Sequence, residues 1–318
     1  EHAVNMNIEQ VKELGEKIKK NISQVIVGKD DVIELVITTL FCLGHALLED
    51  VPGVGKTMLA KSLAKSIECD FKRIQFTPDL LPTDLTGVNY YNQKMGEFVF
   101  RPGPIFSNII LADEINRATP RTQSSLLECM EEGQVTIDGE TRVLEKPFFV
   151  IATQNPVEIQ GTFPLPEAQL DRFFMRLKIG YPDFDEGKAI LDRFESSSPL
   201  PTIKNVANAK DILEAQEAVT KVKVSDDVKK YIVEIVEQTR KNEKIILGVS
   251  PRGSLALMRA SQAYAAIKGR DFVIPDDVKH VAIPVLAHRI IMKSHALVHG
   301  SAYSEAVVSE ILKKVPVP

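Results

Sequence analysis

Tryptophan is absent from this 318-residue chain, aromatic residues make up only 6%, and cysteine occurs three times. Cys42, Cys69 and Cys129 form no C-x-x-C pair, which excludes a disulfide framework and a thiolate zinc cluster and leaves reduced core cysteines. An excess of one charge is lacking too. Lys and Arg number 39 against 43 Asp and Glu, a net of −4, so no global field is built for nucleic acid. The longest uncharged stretch, Leu35 to Leu48, has 14 residues and includes Gly44 and His45, against the roughly 18 to 20 needed to cross a bilayer. Glu1 to Asn5 carry neither the basic start nor the apolar run of a secretory signal. These absences point to a soluble cytoplasmic protein with no membrane span, long enough for about two domains with real cores.

What is present is rhythm. Short apolar runs alternate with helix-period segments as far as about Tyr181, which predicts an α/β fold with a mostly parallel sheet. The expected strands are His45 to Glu49, Phe71 to Thr77, Asn108 to Asp113, Phe148 to Thr153 and Phe174 to Ile179. Two segments break the rhythm. Val88 to Arg101 reads as a hairpin turning at Gln93 to Gly96, its alternating Tyr90, Tyr91, Phe98 and Phe100 assigned to strand pairing. Gln134 to Leu144 reads as a second, turning at Asp138-Gly139, a dipeptide that supplies the positive φ angles of a two-residue loop. Residues 1–182 are expected to form the α/β core with N-terminal helices, and 183–201 a linker. Residues 202–318 are expected to be all-helical, over Ala209 to Lys221, Ser225 to Asn242, Gly253 to Lys268, Asp276 to Ile291 and Ser304 to Lys313.

Directly after the first strand, Asp50-Val51-Pro52-Gly53-Val54-Gly55-Lys56-Thr57 runs into a helical pattern at Met58. Backbone N–H groups of such a loop, opening onto a helix N-terminus, surround phosphate oxygens with donors that carry no bulk. Lys56 is placed to reach the β and γ phosphates of a nucleotide and Thr57 to hold Mg²⁺ through its hydroxyl. The pattern normally begins with glycine, and here it begins with Asp50, whose charge bears on nucleotide affinity. The strand Asn108 to Asp113, expected beside the loop's strand, ends in two acids. Asp113 is the candidate for Mg²⁺ through water and Glu114 for polarising the attacking water. Asn155, after the fourth strand, offers a neutral amide to the same water. His295 and His299 are four apart, but no carboxylate or cysteine completes a metal set, and they read as solvated.

The order of these motifs resembles the AAA+ ATPases, and within them the MoxR family. The resemblance covers Val25-Ile-Val-Gly-Lys29, Phe76 to Gly87, Ala112-Asp-Glu-Ile-Asn-Arg-Ala118, Ala152-Thr-Gln-Asn-Pro156, Gly161 to Phe173 and Val249-Ser-Pro-Arg252. It implies an ATP- and Mg²⁺-dependent ATPase working as a ring, in which the hairpins point to a central pore and the C-terminal helices form a lid. It makes Val27 and Gly28 neighbours of the adenine. Arg172 becomes the arginine finger, with Arg117 and Arg252 at the same subunit interface. It also implies chaperone-like work on partner proteins, often ones with von Willebrand factor A domains. DNA-directed motors and metal-chelatase subunits share this core and stand as the alternative, with a non-hydrolysing nucleotide sensor as a third reading.

Overall fold

The computed structural model describes residues 6–49, 55–155, 161–293 and 301–318. Helices α1 (Ile8–Ser23) and α2 (Asp30–Phe41) precede strand β1 (Ala46–Glu49), helix α3 (Gly55–Ser66), β2 (Phe71–Gln75) and the short α4 (Pro82–Thr86). A hairpin of β3 (Gly87–Asn92) and β4 (Glu97–Pro102) follows, then β5 (Ile109–Asp113), α5 (Pro120–Glu132), and a second hairpin, β6 (Gln134–Ile137) with β7 (Glu140–Val143). The central part closes with β8 (Phe149–Gln154), α6 (Glu167–Leu170) and β9 (Met175–Leu177).

Five parallel strands form the main sheet in the order β2-β5-β8-β1-β9. Successive residues of its central strands are buried on opposite faces. Leu48, Leu111 and Ile151 pack into one core with α1, α2 and α3, while Leu47, Ile110 and Val150 pack into another with α5. Two-sided burial is why these strands read as unbroken apolar runs. The expected order needs one correction, because β8 lies between β5 and β1, so the acids ending β5 are one strand removed from the loop's strand. Phe149 to Thr153 are all buried, which suits β8 to a place with strands on both sides.

Both hairpins stand outside this sheet, as expected. Asp138 and Gly139 have φ of 50° and 82°, the left-handed pair that a type I′ turn requires. Tyr91 and Phe98 are cross-strand partners with ring centroids 5.4 Å apart. The hairpins also touch each other: Asn89 Nδ2 donates to Asp138 Oδ2 at 2.7 Å, and the Arg142 guanidinium lies 3.8 Å from the centre of the Phe100 ring.

Beyond β9, residues 183–201 carry helix α7 (Phe184–Phe194), capped by Asp183, whose carboxylate accepts from the Glu186 N–H at 2.7 Å. Then come α8 (Ala209–Val219), α9 (Asp226–Lys241), β10 (Ile245–Leu247), α10 (Pro251–Ile267), α11 (Pro275–Leu286), β11 (Ile291–Met292) and α12 (Ser301–Lys314). The C-terminal region is therefore mostly but not wholly helical, since β10 and β11 pair antiparallel. The helix expected to reach Ile291 ends at Leu286 and tightens into a 3₁₀ turn at Ala287–Arg289. Arg289 Nε donates to the Val285 carbonyl at 2.8 Å, and the rest of its guanidinium is turned toward β9. Helices α8 to α11 share one continuous apolar core with α1, α2 and the sheet.

Candidate functional site: the carboxyl edge of the sheet

Parallel strands bring their carboxyl ends to one edge, and β1 lies where the connections diverge, with β8 on one side and β9 on the other. Glu49, Gln75, Asp113 and Gln154 end their strands along this edge. Asp113 and Glu114 are braced by Thr153 of β8. The buried Thr153 hydroxyl donates to Asp113 Oδ1 at 2.6 Å and accepts from the Glu114 N–H at 2.8 Å. Glu114 adopts φ 55° and ψ 54°, a left-handed conformation that is uncommon for a non-glycine residue and clusters at functional sites. That turn carries the second acid out of line with the first.

Each acid has a cation in the same chain. Arg73 Nη2 contacts Asp113 Oδ2 at 2.7 Å and Gln75 Oε1 at 2.7 Å, and Arg117 Nη1 lies 3.0 Å from Glu114 Oε2. Asn116 is buried and donates to the Asn155 carbonyl at 3.3 Å, which ties the turn after Glu114 to the end of β8. Asp113, Glu114, Arg117 and Asn155, all expected from the sequence, are brought together here. Sequence reasoning missed Thr153 and Arg73. Thr153 carried a signal as the polar residue inside an otherwise apolar strand, whereas Arg73 sits on an edge strand where polar residues are ordinary.

Among the expected phosphate-loop residues, Asp50, Val51, Pro52, Gly53 and Val54 lie outside the described residues, as do Pro156, His295 and His299. Gly55 opens α3, Lys56 is buried, and Thr57 and Met58 are half-buried in its first turn, which contains no acidic residue. The last residue of β1, Glu49, is buried; its Oε1 accepts from Gln154 Nε2 at 2.7 Å and lies 3.7 Å from Arg176 Nη1, while among the described residues its Oε2 has no hydrogen-bond partner. Below it, His45 fastens β1 to its surroundings. Its Nδ1 accepts from the Val150 N–H at 3.0 Å, and Nε2 lies 3.1 Å from the Met130 carbonyl. Burial pushes its pKa down to about 4, so the ring is neutral.

Val27 is half-buried, and Gly28 sits against α7. A Cβ at Gly28, whose φ is 72°, would stand 2.5 Å from Glu186 Cγ, and Lys29 pairs with Glu186 at 3.1 Å.

Arg172 and Arg252, 80 residues apart in sequence, meet on one carboxylate that sequence reasoning did not find. Arg172 Nε lies 3.4 Å from Glu131 Oε2, and Arg252 Nη2 lies 2.7 Å from Glu131 Oε1. The backbone around Arg172 is held from the C-terminal region. Arg289, whose side chain is almost wholly buried, donates to the Asp171 carboxylate at 2.8 Å and to the carbonyls of Asp171 and Phe173 at 3.0 Å each. Burial pulls the Arg289 pKa down and the Asp171 carboxylate opposes it. His288 Nε2 lies 2.7 Å from the Phe173 carbonyl, and burial with the charges of Arg289 and Arg176 keeps that ring neutral.

The donor set suits a hard cation. Asp113 and Thr57 offer oxygen, and the described residues contain no group of three or more His, Cys, Asp or Glu side chains able to hold a metal alone. Those oxygens are of the kind Mg²⁺ takes, since it keeps several waters and draws its other ligands from one or two protein oxygens and from phosphate.

The sequence matches the ATPase family associated with various cellular activities (AAA) over residues 45–175 and the AAA lid domain over residues 237–311. It is 55% identical over 302 residues to the uncharacterized protein YeaC of Bacillus subtilis (strain 168), covering 95% of this chain and 94% of that one. It is 40% identical over 306 residues to Chaperone MoxR1 of Mycobacterium tuberculosis, covering 93% of this chain and 80% of the relative. The crystal structure of a candidate ATPase from Cytophaga hutchinsonii, 40% identical, superposes with a TM-score of 0.89 over 98% of this chain and 97% of its own.

Proposed function

The chain belongs to the MoxR family of AAA+ ATPases, and from that membership we propose that it hydrolyses ATP with Mg²⁺ as a ring, here taken as a hexamer, that remodels or activates partner proteins. The observation that carries the hydrolytic reading is the pair Asp113 and Glu114, braced by one threonine and turned apart at the carboxyl edge of the sheet. Phosphoryl transfer needs positioning and charge stabilisation more than covalent chemistry. In this reading residues 50–57 and Met58 wrap the phosphates, Lys56 neutralises the β and γ oxygens, and Val27 and Gly28 flank the base. Mg²⁺, held by Thr57 and through water by Asp113, would supply charge neutralisation on the phosphates. Glu114 orients and polarises the attacking water, with Asn155 beside it.

Arg172, Arg252 and Arg117 are assigned to the neighbouring subunit's nucleotide. Two of them already share one surface carboxylate, and Arg117 rests on Glu114 Oε2 of its own chain, a contact it would give up on turning to a neighbour. The partner-protein reading leans on the relative named as a chaperone, and the von Willebrand factor A class of client rests on family resemblance. A net charge of −4 argues against nucleic acid as the substrate, and we place the work in the cytoplasm; no helix among the described residues is long and apolar enough to cross a membrane.

Steady-state phosphate release tests the core of this reading. Glu114→Gln is expected to keep ATP binding and lose hydrolysis by about 10²-fold or more, the scale of a lost general base, while Lys56→Ala loses binding. Equal rates for wild type and both variants would remove the enzyme reading. Capture from native extract with the Glu114→Gln form, which holds ATP, then identifies the client.

A further inference from the structure

We propose that Glu131 is a positioning residue that holds Arg172 and Arg252 as a single paired guanidinium unit, aimed at the polyphosphate of a second copy of this chain. The proposal rests on the ATPase ring reading given above and adds the residue that organises its shared site.

Glu131 lies in the last turn of α5, followed by Gly133 in the left-handed cap. An acid there opposes the helix dipole. Local helix stability therefore gives no reason for a carboxylate at 131. The arginines do. Two guanidinium groups drawn from separate parts of the chain repel each other, and a carboxylate between them, at 3.4 Å and 2.7 Å, converts that repulsion into a bridged cluster of net charge +1.

The contacts leave the cluster able to bind. Arg172 uses Nε toward Glu131, and among the described residues its two terminal nitrogens have no acceptor; Arg252 spends Nη2 alone. The side chains of Arg172, Glu131 and Arg252 are 28%, 36% and 52% exposed, so the positive charge faces outward. Neither arginine is bonded to Asp113 or Glu114, whose own cations are Arg73 and Arg117. An outward pair of forked donors on one shared carboxylate matches phosphate oxygens from another molecule. Arg289 fixes the main chain on both sides of Arg172, so Glu131 has only the side chains left to align.

The test uses the full chain and measures kcat and KM for ATP, with nucleotide binding read separately by a fluorescent ATP analogue. Glu131→Gln keeps the shape and removes the charge. It is expected to lower kcat about 10- to 100-fold, the scale of a misaligned catalytic group, while ATP affinity of the subunit changes less than about twofold and Glu131→Asp recovers part of the loss. Mixing decides the trans role. Glu131→Gln subunits keep an intact nucleotide site, Glu114→Gln subunits keep an intact arginine pair, and a 1:1 mixture should regain roughly a quarter of the wild-type rate at head-to-tail interfaces. A merely structural lesion is not rescued by mixing. Wild-type kcat in Glu131→Gln, or no recovery in the mixture, overturns the proposal. If Arg172→Ala and Arg252→Ala also retain the wild-type rate, the shared-site reading falls with it; if they lose activity while Glu131→Gln does not, only the role of Glu131 is lost.

Discussion

At the scale of single residues, the most consequential side chains are the ones that brace others. His45 precedes β1, and both of its ring nitrogens are used, one by β8 and one by α5. Its pKa falls from 6.5 to about 4 on burial, so below pH 6.5 the unfolded chain takes up a proton that the folded chain refuses. The folded state then loses stability as pH falls from 6.5 toward 4, by up to about 3 kcal/mol if the ring stays buried. His45→Gln keeps a neutral hydrogen-bonding group and removes the titration. Urea unfolding at pH 7 and pH 5 should show a smaller loss between the two in the variant than in wild type, and equal losses would mean that the ring is not the titrating group. Thr153 teaches a related lesson about legibility. The acids it holds were visible as two carboxylates after an apolar run, but the hydroxyl joining them belongs to a strand 40 residues later, and only pairing of β5 with β8 brings it near.

At the scale of elements, strands buried on both faces and the Asp-Gly hairpin turn were legible because their signals are local. Strand order was not. Nothing in the composition of β5 tells that β8 separates it from β1, since both are equally apolar. The segment 276–291 keeps an amphipathic period past its true helical end; the helix stops two residues after Pro284, and Arg289, whose guanidinium is claimed by the loop entering β9, satisfies the Val285 carbonyl there. That claim joins the C-terminal region to the α/β region through one nearly buried side chain, with His288 beside it. Arg289→Lys keeps the charge but loses the planar fork that reaches carboxylate and carbonyls together. Breaking such a buried network costs about 3–5 kcal/mol, read as a lower urea midpoint. An unchanged midpoint would show that β9 is held in place without this tether.

At the scale of the whole molecule, the distribution of charge around the strand ends is lopsided. Asp113 and Glu114 are each neutralised by a cation of their own chain, while Arg172 and Arg252 share a single acid and leave positive charge at the surface. On the proposed function, a subunit built this way would carry a nucleotide site at one place and an arginine pair at another, and head-to-tail contact between copies would join them. Hydrolysis per subunit should then depend on protein concentration. An arginine supplied across an interface is worth about 10³ to 10⁵ in turnover, so dilution below the assembly midpoint is expected to drop the specific rate of phosphate release steeply. Raising the concentration should restore it to a plateau. Arg172→Ala should lie on the low baseline at every concentration while still binding ATP, because its own nucleotide site is untouched. A specific rate that stays constant through dilution, with sedimentation showing single subunits throughout, would mean that one chain completes the site alone, and the arginine pair would then need another explanation.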